Sequence, residues 1–176
     1  MEVLRLLESD GSLSKFENDW STQCDEVEED FGHYAVGPLT VIRDFAKTKR
    51  DKEWAIAIDD GDRFMASAIA IKTRQKPLNG WTLRIREVTV CPLLDYGNLD
   101  ENHYIDTLVG ILNGALKLSE RGLKADHIKL HLRSPTDATF FRVFGNTLDS
   151  KGVIAASEAH GAWLTISKAA TLQVVK

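Results

Sequence analysis

REVTVCP, residues 86–92, closes the most regular strand pattern in this chain. Over residues 81–90 polar and apolar side chains alternate with a period of two, which is typical of a β-strand with one buried face. Pro92 ends the strand because proline has no backbone donor for a ladder. Apolar residues then recur at helical spacing over residues 105–118. We therefore expect a central strand followed by a long amphipathic helix.

Two further strands are predicted upstream of this unit. The apolar runs WAIAI, residues 54–58, and FMASAIAI, residues 64–71, are separated by DDGDR, residues 59–63. An Asp-Gly pair between two such runs is a strong hairpin signal. PLNG, residues 77–80, predicts a second turn that leads into the central strand. The three strands should form an antiparallel meander.

Helical patterns come before the meander. Residues 12–31 are polar and acidic with a narrow apolar stripe, which predicts one or two helices. The Gly-Pro pair at residues 37–38 opens a second pattern, which ends in KTKR, residues 47–50. Positive side chains suit a helix C-terminus, so the basic tetrapeptide has a structural explanation.

The last part of the chain completes the expected sheet. Residues 127–132 predict a short strand, and a strand, helix and strand in this order favour a right-handed crossover with a parallel pair. Residues 134–145 predict another helix. Residues 153–156 and 163–166 predict a closing hairpin, separated by the turn residues 158–161.

Composition limits the classes of function. The chain has 176 residues, which we expect to form a single domain over residues 1–176, with 43% hydrophobic and 27% charged residues. A formal charge of −4 and a pI near 5.7 argue against general nucleic-acid binding, although a local basic patch is compatible with them. No apolar run approaches the ~20 residues of a membrane span. The first residues do not resemble a signal peptide, so we expect a cytoplasmic protein with no membrane partner.

The two cysteines carry no recognisable motif. Cys24 and Cys91 lack the spacing of a redox or zinc site, and we expect both to be free thiols in a reducing compartment.

The order of the predicted elements resembles the GNAT superfamily of acyl-CoA N-acyltransferases over nearly the whole chain. Two local matches support the resemblance: VTVCP, residues 88–92, is similar to the central strand of the family with its proline exit. ATFFRVFG, residues 138–145, is similar to the alanine, aromatic pair and glycine that precede its last hairpin. The resemblance implies an α/β (α+β) fold, a mixed and mostly antiparallel sheet of about six to seven strands flanked by helices. It also implies transfer of an acyl group from acetyl-CoA or another acyl-CoA to an amine.

The resemblance further implies where the coenzyme would bind. Backbone groups of Val88 and Val90 would pair with the pantetheine arm, and we count Asn98 and Ser134 as additional candidate contacts. In the family a basic, glycine-rich loop then holds the pyrophosphate at a helix N-terminus. Here the arginine position falls on Asp95, and the two glycine positions fall on Asn98 and Asp100. Asp100 is also suited to be the N-cap of the long helix.

Two residues are candidates for catalysis by the same resemblance. Glu87 matches a central-strand glutamate that takes a proton from the attacking amine, although a glutamate flanked by Arg84 and Arg86 also fits a surface ion pair. The usual tyrosine acid of the family is replaced by Phe141. Tyr96 could supply that proton from the altered loop, or be a half-buried loop aromatic.

No metal site is expected. His127 and His131 are four residues apart, but in a strand they stand ~13 Å apart and cannot share a metal. His103 lies with three acidic residues near the start of the long helix, where a solvated helix end is the simpler interpretation.

Two functional hypotheses follow. In the first, the chain is an acyl-CoA-dependent N-acyltransferase whose acceptor is a small-molecule or protein amine, with Trp20, Phe31, His33 and Tyr34 as candidate acceptor contacts or packing residues. In the second, it is a catalytically silent protein of the same fold that binds a protein partner through the acidic segment 95–106.

Overall fold

A seven-stranded sheet forms the centre of the molecule, whose computed structural model describes residues 1–74, 76, 78–132 and 154–168. The strands are β1 (Glu2–Leu6), β2 (Glu53–Asp59), β3 (Phe64–Thr73), β4 (Thr82–Val90), β5 (His127–His131), β6 (Ile154–His160) and β7 (Trp163–Lys168). Their spatial order is β1-β2-β3-β4-β5-β7-β6, and only β4 and β5 pair in parallel. The predicted mixed, mostly antiparallel sheet is therefore confirmed.

Four helices in the described part of the chain flank this sheet. They are α1 (Ser12–Glu26), α2 (Val36–Lys47), α3 (Pro92–Asp95) and α4 (Glu101–Lys117), and a π-helical turn extends α4 over Leu118–Gly122. No helix in the described residues has the length and apolar character needed to cross a membrane.

The structure differs from the sequence prediction in two strands. β1 was not predicted, because a five-residue strand at the chain start carries little periodic signal, yet it pairs with β2 from Glu2 opposite Asp59 to Leu6 opposite Ala55. The expected turn at residues 158–161 is wrong: β6 continues through His160, and pairing with β7 makes this polar segment part of the ladder. The predicted helix at 134–145 lies outside the described residues.

The sheet has a hydrophobic core on each face. The first, here called the α1/α2 core, packs α1 and α2 against β2 and β3 around the fully buried Trp20. Its indole Nε1 donates to the Phe64 carbonyl oxygen at 2.8 Å, so the one polar atom of this side chain is satisfied. Phe16 packs against the same ring with centroids 4.5 Å apart.

The second core, here called the α4 core, packs α4 against the opposite face of the sheet. A glycine in α4 allows the helix to lie close to β1 and β2. A Cβ atom added at Gly114 would lie 3.1 Å from Val3 Cβ and 3.2 Å from Ile58 Cδ1, so the helix backbone rests almost directly on β1 and β2. The approach fixes α4, and with it the start of the helix near the end of β4.

Both cysteines are free thiols, as expected, and the structure shows in addition that both are buried. Burial raises the pKa of the Cys24 and Cys91 thiols to about 11, so both are protonated at neutral pH.

Candidate active site between β4 and β5

The sheet opens where β4 separates from β5. The two strands pair in parallel from Thr82 opposite His127 to Ile85 opposite Leu130, and β4 then continues to Val90 without further pairing to β5. Among the described residues, the backbone edge beyond Ile85 therefore faces a gap rather than a neighbouring strand.

A β-bulge accompanies this separation. Ser67 of β3 pairs with Thr89, whereas Ile69, two residues further along, pairs with Arg86, so β4 contains one extra residue. Glu87 lies within the bulge with φ at 51°, a left-handed conformation that is uncommon outside glycine. Bulges bend a strand and increase its twist. The bulge thus directs the end of β4 away from β5.

A cavity of about 470 Å³, here called the strand cleft, fills the gap. Its described lining comes from both separated strands, the segment before α2, α3 and α4: His33, Tyr34, Ala35, Pro38, Val88, Thr89, Val90, Asp95, Tyr96, Tyr104, Leu108, Ile111, Leu130, His131 and Leu132. Apolar side chains of the two strands and α4 line it together with the polar groups of histidine, tyrosine, threonine and aspartate.

The exposed edge of β4 contributes backbone groups to the strand cleft. Cys91 N donates to Met65 O of β3, so the preceding peptide groups at Val90 point away from β3. One of them already has a partner, since the Tyr34 hydroxyl donates to Val90 O at 2.8 Å. Val88 lies within the bulge and also lines the strand cleft.

Two tyrosines form one wall of the strand cleft. The Tyr34 and Tyr96 rings have centroids 6.1 Å apart; Tyr34 is buried, whereas Tyr96 is 47% exposed. Burial, followed by the negative charge of Asp95, raises the pKa of Tyr34. Desolvation, followed by the charges of Glu29 and Asp95, also raises the pKa of Tyr96. Both phenols are protonated at neutral pH, and Tyr96 is the one that solvent reaches.

The backbone amides of the loop after β4 form hydrogen bonds within the loop. The amides of Asp95 and Tyr96 donate to Cys91 O and Pro92 O, and those of Asn98 and Leu99 donate to Leu93 O, at 2.9 to 3.1 Å. An anion-binding loop needs amides that point at the ligand. These four amides point into the loop itself.

Asp100 is the N-cap of α4, as the sequence predicted. Its Oδ1 accepts from the His103 amide at 3.1 Å and lies 2.6 Å from His103 Nδ1. The hydrogen bond from the His103 backbone is the main cause that lowers the pKa of the Asp100 carboxyl. The start of α4 is thus occupied by a carboxylate of the protein.

Removing this cap should destabilise the fold in a pH-dependent manner. The pKa of Asp100 is lower in the folded protein than in the unfolded chain. The carboxylate therefore stabilises the fold fully above the ordinary aspartate pKa of about 3.9, and this stabilisation is lost as the pH falls through the lower folded-state pKa. We expect Asp100→Ala to lower the thermal unfolding midpoint at neutral pH and to differ less from wild type in strong acid. Asp100→Asn, which keeps a capping side chain, is the matched control. Equal midpoints for Asp100→Ala and wild type at neutral pH would exclude the cap.

Coenzyme A fits one part of the site and not another. The apolar cleft and the free edge of β4 suit a pantetheine arm. The loop does not suit a diphosphate, because its amides are internally bonded, Asp95 lies at its start, and no lysine or arginine lines the strand cleft in the described residues.

The sequence-predicted site residues are only partly brought together. Val88, Val90 and Tyr96 line the strand cleft. Glu87 instead lines a smaller cavity of about 260 Å³ beside α2, with its side chain 34% exposed and a carboxylate oxygen 4.0 Å from Arg86. Asn98 is exposed beyond α3, and Ser134 lies outside the described residues, as does Phe141.

The other candidate residues have structural positions. Trp20 belongs to the core and is no acceptor contact, whereas His33 and Tyr34 do line the strand cleft. His127 lies in a strand, where its Nε2 donates to Asn79 O at 2.7 Å. Among the described residues, no group of three metal-ligating side chains could hold an ion.

The strand cleft also contains two polar ring side chains that the sequence did not assign to it. His131 ends β5 beside the gap, with its ring 4.7 Å from that of Trp163, and Tyr104 reaches the cleft from the first turn of α4. A signal for His131 existed, since it is the last residue of the strand parallel to β4. Tyr104 belongs to the helical pattern and carried no separate signal.

No protein-family model and no curated protein sequence matches this chain. Solved structures do. An N-acetyltransferase from Staphylococcus aureus Mu50 is 15% identical with a TM-score of 0.50, over 94% of this chain and 96% of that one. Escherichia coli ElaA is 13% identical with a TM-score of 0.48, over 96% and 100%. The aminoglycoside 6'-N-acetyltransferase from Enterococcus faecium is 11% identical with a TM-score of 0.41, over 94% of each chain.

At this level of identity the likeness concerns the fold and not the chemistry. Together with the strand order and the separation of β4 from β5, the first of these matches shows that the chain has a GNAT-like fold.

Proposed function

We propose that this protein is an amine N-acyltransferase that uses an acyl thioester, with acetyl-CoA as the first donor to test. The observation that carries the proposal is the left-handed bulge at Glu87, at the point where β4 leaves β5. A glutamate in this conformation costs the fold free energy, and such strain persists chiefly where function maintains it. Bulges are also common beside active sites.

The donor would enter the strand cleft along β4. When bound, a thioester supplies an activated acyl carbon and a thiolate leaving group. The amide of Val88 and the remaining backbone groups of Val90 would align the pantetheine arm, and the apolar side chains of β5 and α4 would exclude water around it. Tyr34 supports this edge because its hydroxyl holds the Val90 carbonyl in place.

Glu87 would accept a proton from the amine. Its side chain lies on the face of the sheet that α2 covers, in a cavity also lined by Val41 and Phe45. The strand cleft is lined from both sides of the sheet, by Tyr34 of the α1/α2 core and by Leu108 of the α4 core, so an amine on the α2 side could meet a thioester held there. The carboxylate would act directly or through one water molecule.

Tyr96 is the proposed source of a proton for the departing thiolate. It lines the strand cleft, solvent reaches it, and its raised pKa keeps it protonated at neutral pH. A weaker acid gives a smaller catalytic advantage, and thiolate is already a tolerable leaving group. Its loss should therefore slow turnover less than the loss of Glu87.

Acceptor-dependent thiol release tests the proposal directly. The full chain is incubated with acetyl-CoA and a panel of primary amines, including a small diamine and a peptide with a free N-terminus. We expect thiol release that requires both an amine and the wild-type protein. Release that no amine accelerates, from a folded sample, would contradict the proposal.

Asp95 should weaken donor binding through charge repulsion. A carboxylate close to a phosphate costs about 1 kcal/mol per pair in water, which corresponds to roughly a fivefold change in affinity. We expect Asp95→Asn to tighten acetyl-CoA binding about fivefold in calorimetric titration and to leave S-acetyl-pantetheine binding unchanged, since that donor has no phosphate. Asp62→Asn, in the β2–β3 turn, changes the net charge equally and should have little effect. If both variants bind acetyl-CoA more tightly to the same extent, Asp95 has no specific effect on donor binding.

A second candidate function is supported by the self-bonded loop and the capped helix. The protein could bind a partner through the acidic segment 95–106 and use no coenzyme. Asp95 and Asp106 are exposed on this segment, and changing both to lysine spares the cap at Asp100. A partner that the wild type binds should then be lost while the unfolding midpoint is retained. Retained partner binding would exclude this surface.

A further inference from the structure

Three cations surround a single indole at the end of the sheet that is remote from the strand cleft. Lys52 Nζ, Lys72 Nζ and Arg74 Cζ each lie 4.9 Å from the centre of the Trp81 ring. No two of these charged centres are therefore further apart than twice that distance. We call this group the Trp81 cluster.

The three cations of the Trp81 cluster lack ion-pair partners in the described residues. None of its three cations forms an ion pair there within 4.0 Å. The separations are comparable to the Debye length of about 8 Å at physiological ionic strength, so solvent ions screen the mutual repulsion only in part. Attraction to the face of the indole offsets some of this repulsion for each cation separately.

A cavity of about 430 Å³ adjoins the Trp81 cluster. Lys72 and Trp81 line it together with Lys124 and Lys168, so two further cations join the same surface. Lys168 Nζ donates to Ser119 O at 3.0 Å, which positions its charge at the cavity wall.

Two carboxylates of the cavity offset part of this charge. Asp126 and Glu120 also line it, and both are exposed. Asp126 Oδ2 accepts from the Trp81 amide at 2.7 Å, which keeps its negative charge beside the indole. Three lysines and two carboxylates therefore line the cavity, and the other two cations of the Trp81 cluster, Lys52 and Arg74, lie against the indole beside it.

We propose that the cavity beside Trp81 binds a small anion with two or more linked phosphate groups. Lysine ammonium groups bind phosphate as point charges, and linked phosphates can reach several of them at once where a single carboxylate cannot. Trp81 precedes β4, whose nine residues span about 30 Å, so this site and the strand cleft lie at opposite ends of the strand. The proposal does not depend on acyl transfer.

Calorimetric titration of the full chain with inorganic tripolyphosphate at low salt tests it. We expect saturable binding at one site that weakens as salt is added. The double variant Lys52→Gln/Lys72→Gln should bind at least tenfold more weakly. The control Lys15→Gln/Lys49→Gln removes the same charge from elsewhere, including a lysine that lies 5.7 Å from the Phe64 ring, and should bind as wild type does. Circular dichroism and thermal unfolding establish that each variant is folded.

Two comparisons identify the kind of ligand. Tighter binding of ATP than of tripolyphosphate would indicate that the ligand is a nucleotide. Equal binding of the two would indicate that it is a simple polyphosphate, and either result supports the site. Absence of saturable binding, equal weakening by both double variants, equal binding of sulfate, or binding of a single-stranded oligonucleotide alone would each overturn the proposal.

Discussion

Glu87→Gln should lower the turnover of amine acylation by about a hundred- to ten-thousand-fold, because glutamine cannot accept the proton of the attacking amine. The shape of the side chain is nearly preserved, so the affinity for the donor should stay within about twofold of wild type. Initial rates at saturating donor and amine, together with calorimetric titration, measure the two quantities. Unchanged turnover would exclude Glu87 as the base and leave it as the partner of Arg86.

Glu87→Gly separates the backbone role of this position from its chemical role. A left-handed conformation costs a non-glycine residue about 1–2 kcal/mol, and glycine adopts it freely. We expect the glycine variant to be at least as stable as wild type in denaturant unfolding but as slow as Glu87→Gln. Glu28, just beyond α1, also has a positive φ of 58°, and Glu28→Gly is the matched control that should retain activity.

Trp20→Ala should reduce the free energy of unfolding by about 3–5 kcal/mol, since a large aromatic residue is removed from a close-packed core. Trp20 is completely buried, packs against Phe16 and Tyr34, and donates to the Phe64 carbonyl oxygen. That loss is a large fraction of the stability of an ordinary domain. Denaturant unfolding followed by circular dichroism measures it.

The consequence of this substitution should reach the strand cleft. Tyr34 packs edge-on against Trp20 and donates to Val90 O, so a cavity at Trp20 would loosen that wall. Trp20→Phe keeps most of the packing and loses the indole hydrogen bond, and its destabilisation should be clearly smaller. A loss below about 1 kcal/mol for Trp20→Ala would contradict the packing described for the α1/α2 core.

Much of the fold could be predicted because its signals are local. The Asp-Gly turn at residues 59–63 joins two strands that are adjacent in sequence. The alternation of polar and apolar residues over 81–90 indicates a strand from one short stretch of sequence. The capping role of Asp100 could be predicted for the same reason, because an N-cap depends on the residues of one helical turn.

The remaining features depend on contacts that are distant in sequence. β1 is a strand because β2 lies beside it, and its five residues contain too few periods to show this alone. The bulge at Glu87 arises from the register between β3 and β4, which no single strand reveals. For the same reason, the sequence placed Glu87 in the central strand but could not separate its cavity from the strand cleft.

The loop after β4 explains why a GNAT-like fold leaves the choice of donor open here. Its amides are internally bonded, and the start of α4 carries the protein's own carboxylate. If a donor binds, its affinity must come from the arm in the strand cleft rather than from the diphosphate. A donor without phosphates should therefore bind about as well as acetyl-CoA.

Calorimetric titration of the folded protein with S-acetyl-pantetheine and with acetyl-CoA tests this account most directly. Using the Lys52→Gln/Lys72→Gln variant removes a contribution from the Trp81 cluster to the binding of the phosphorylated donor. We predict that both donors bind at a single site with affinities within about tenfold of each other, and that Val88→Trp, which fills the strand cleft, abolishes both. Absence of binding by either donor to the folded protein would contradict the account.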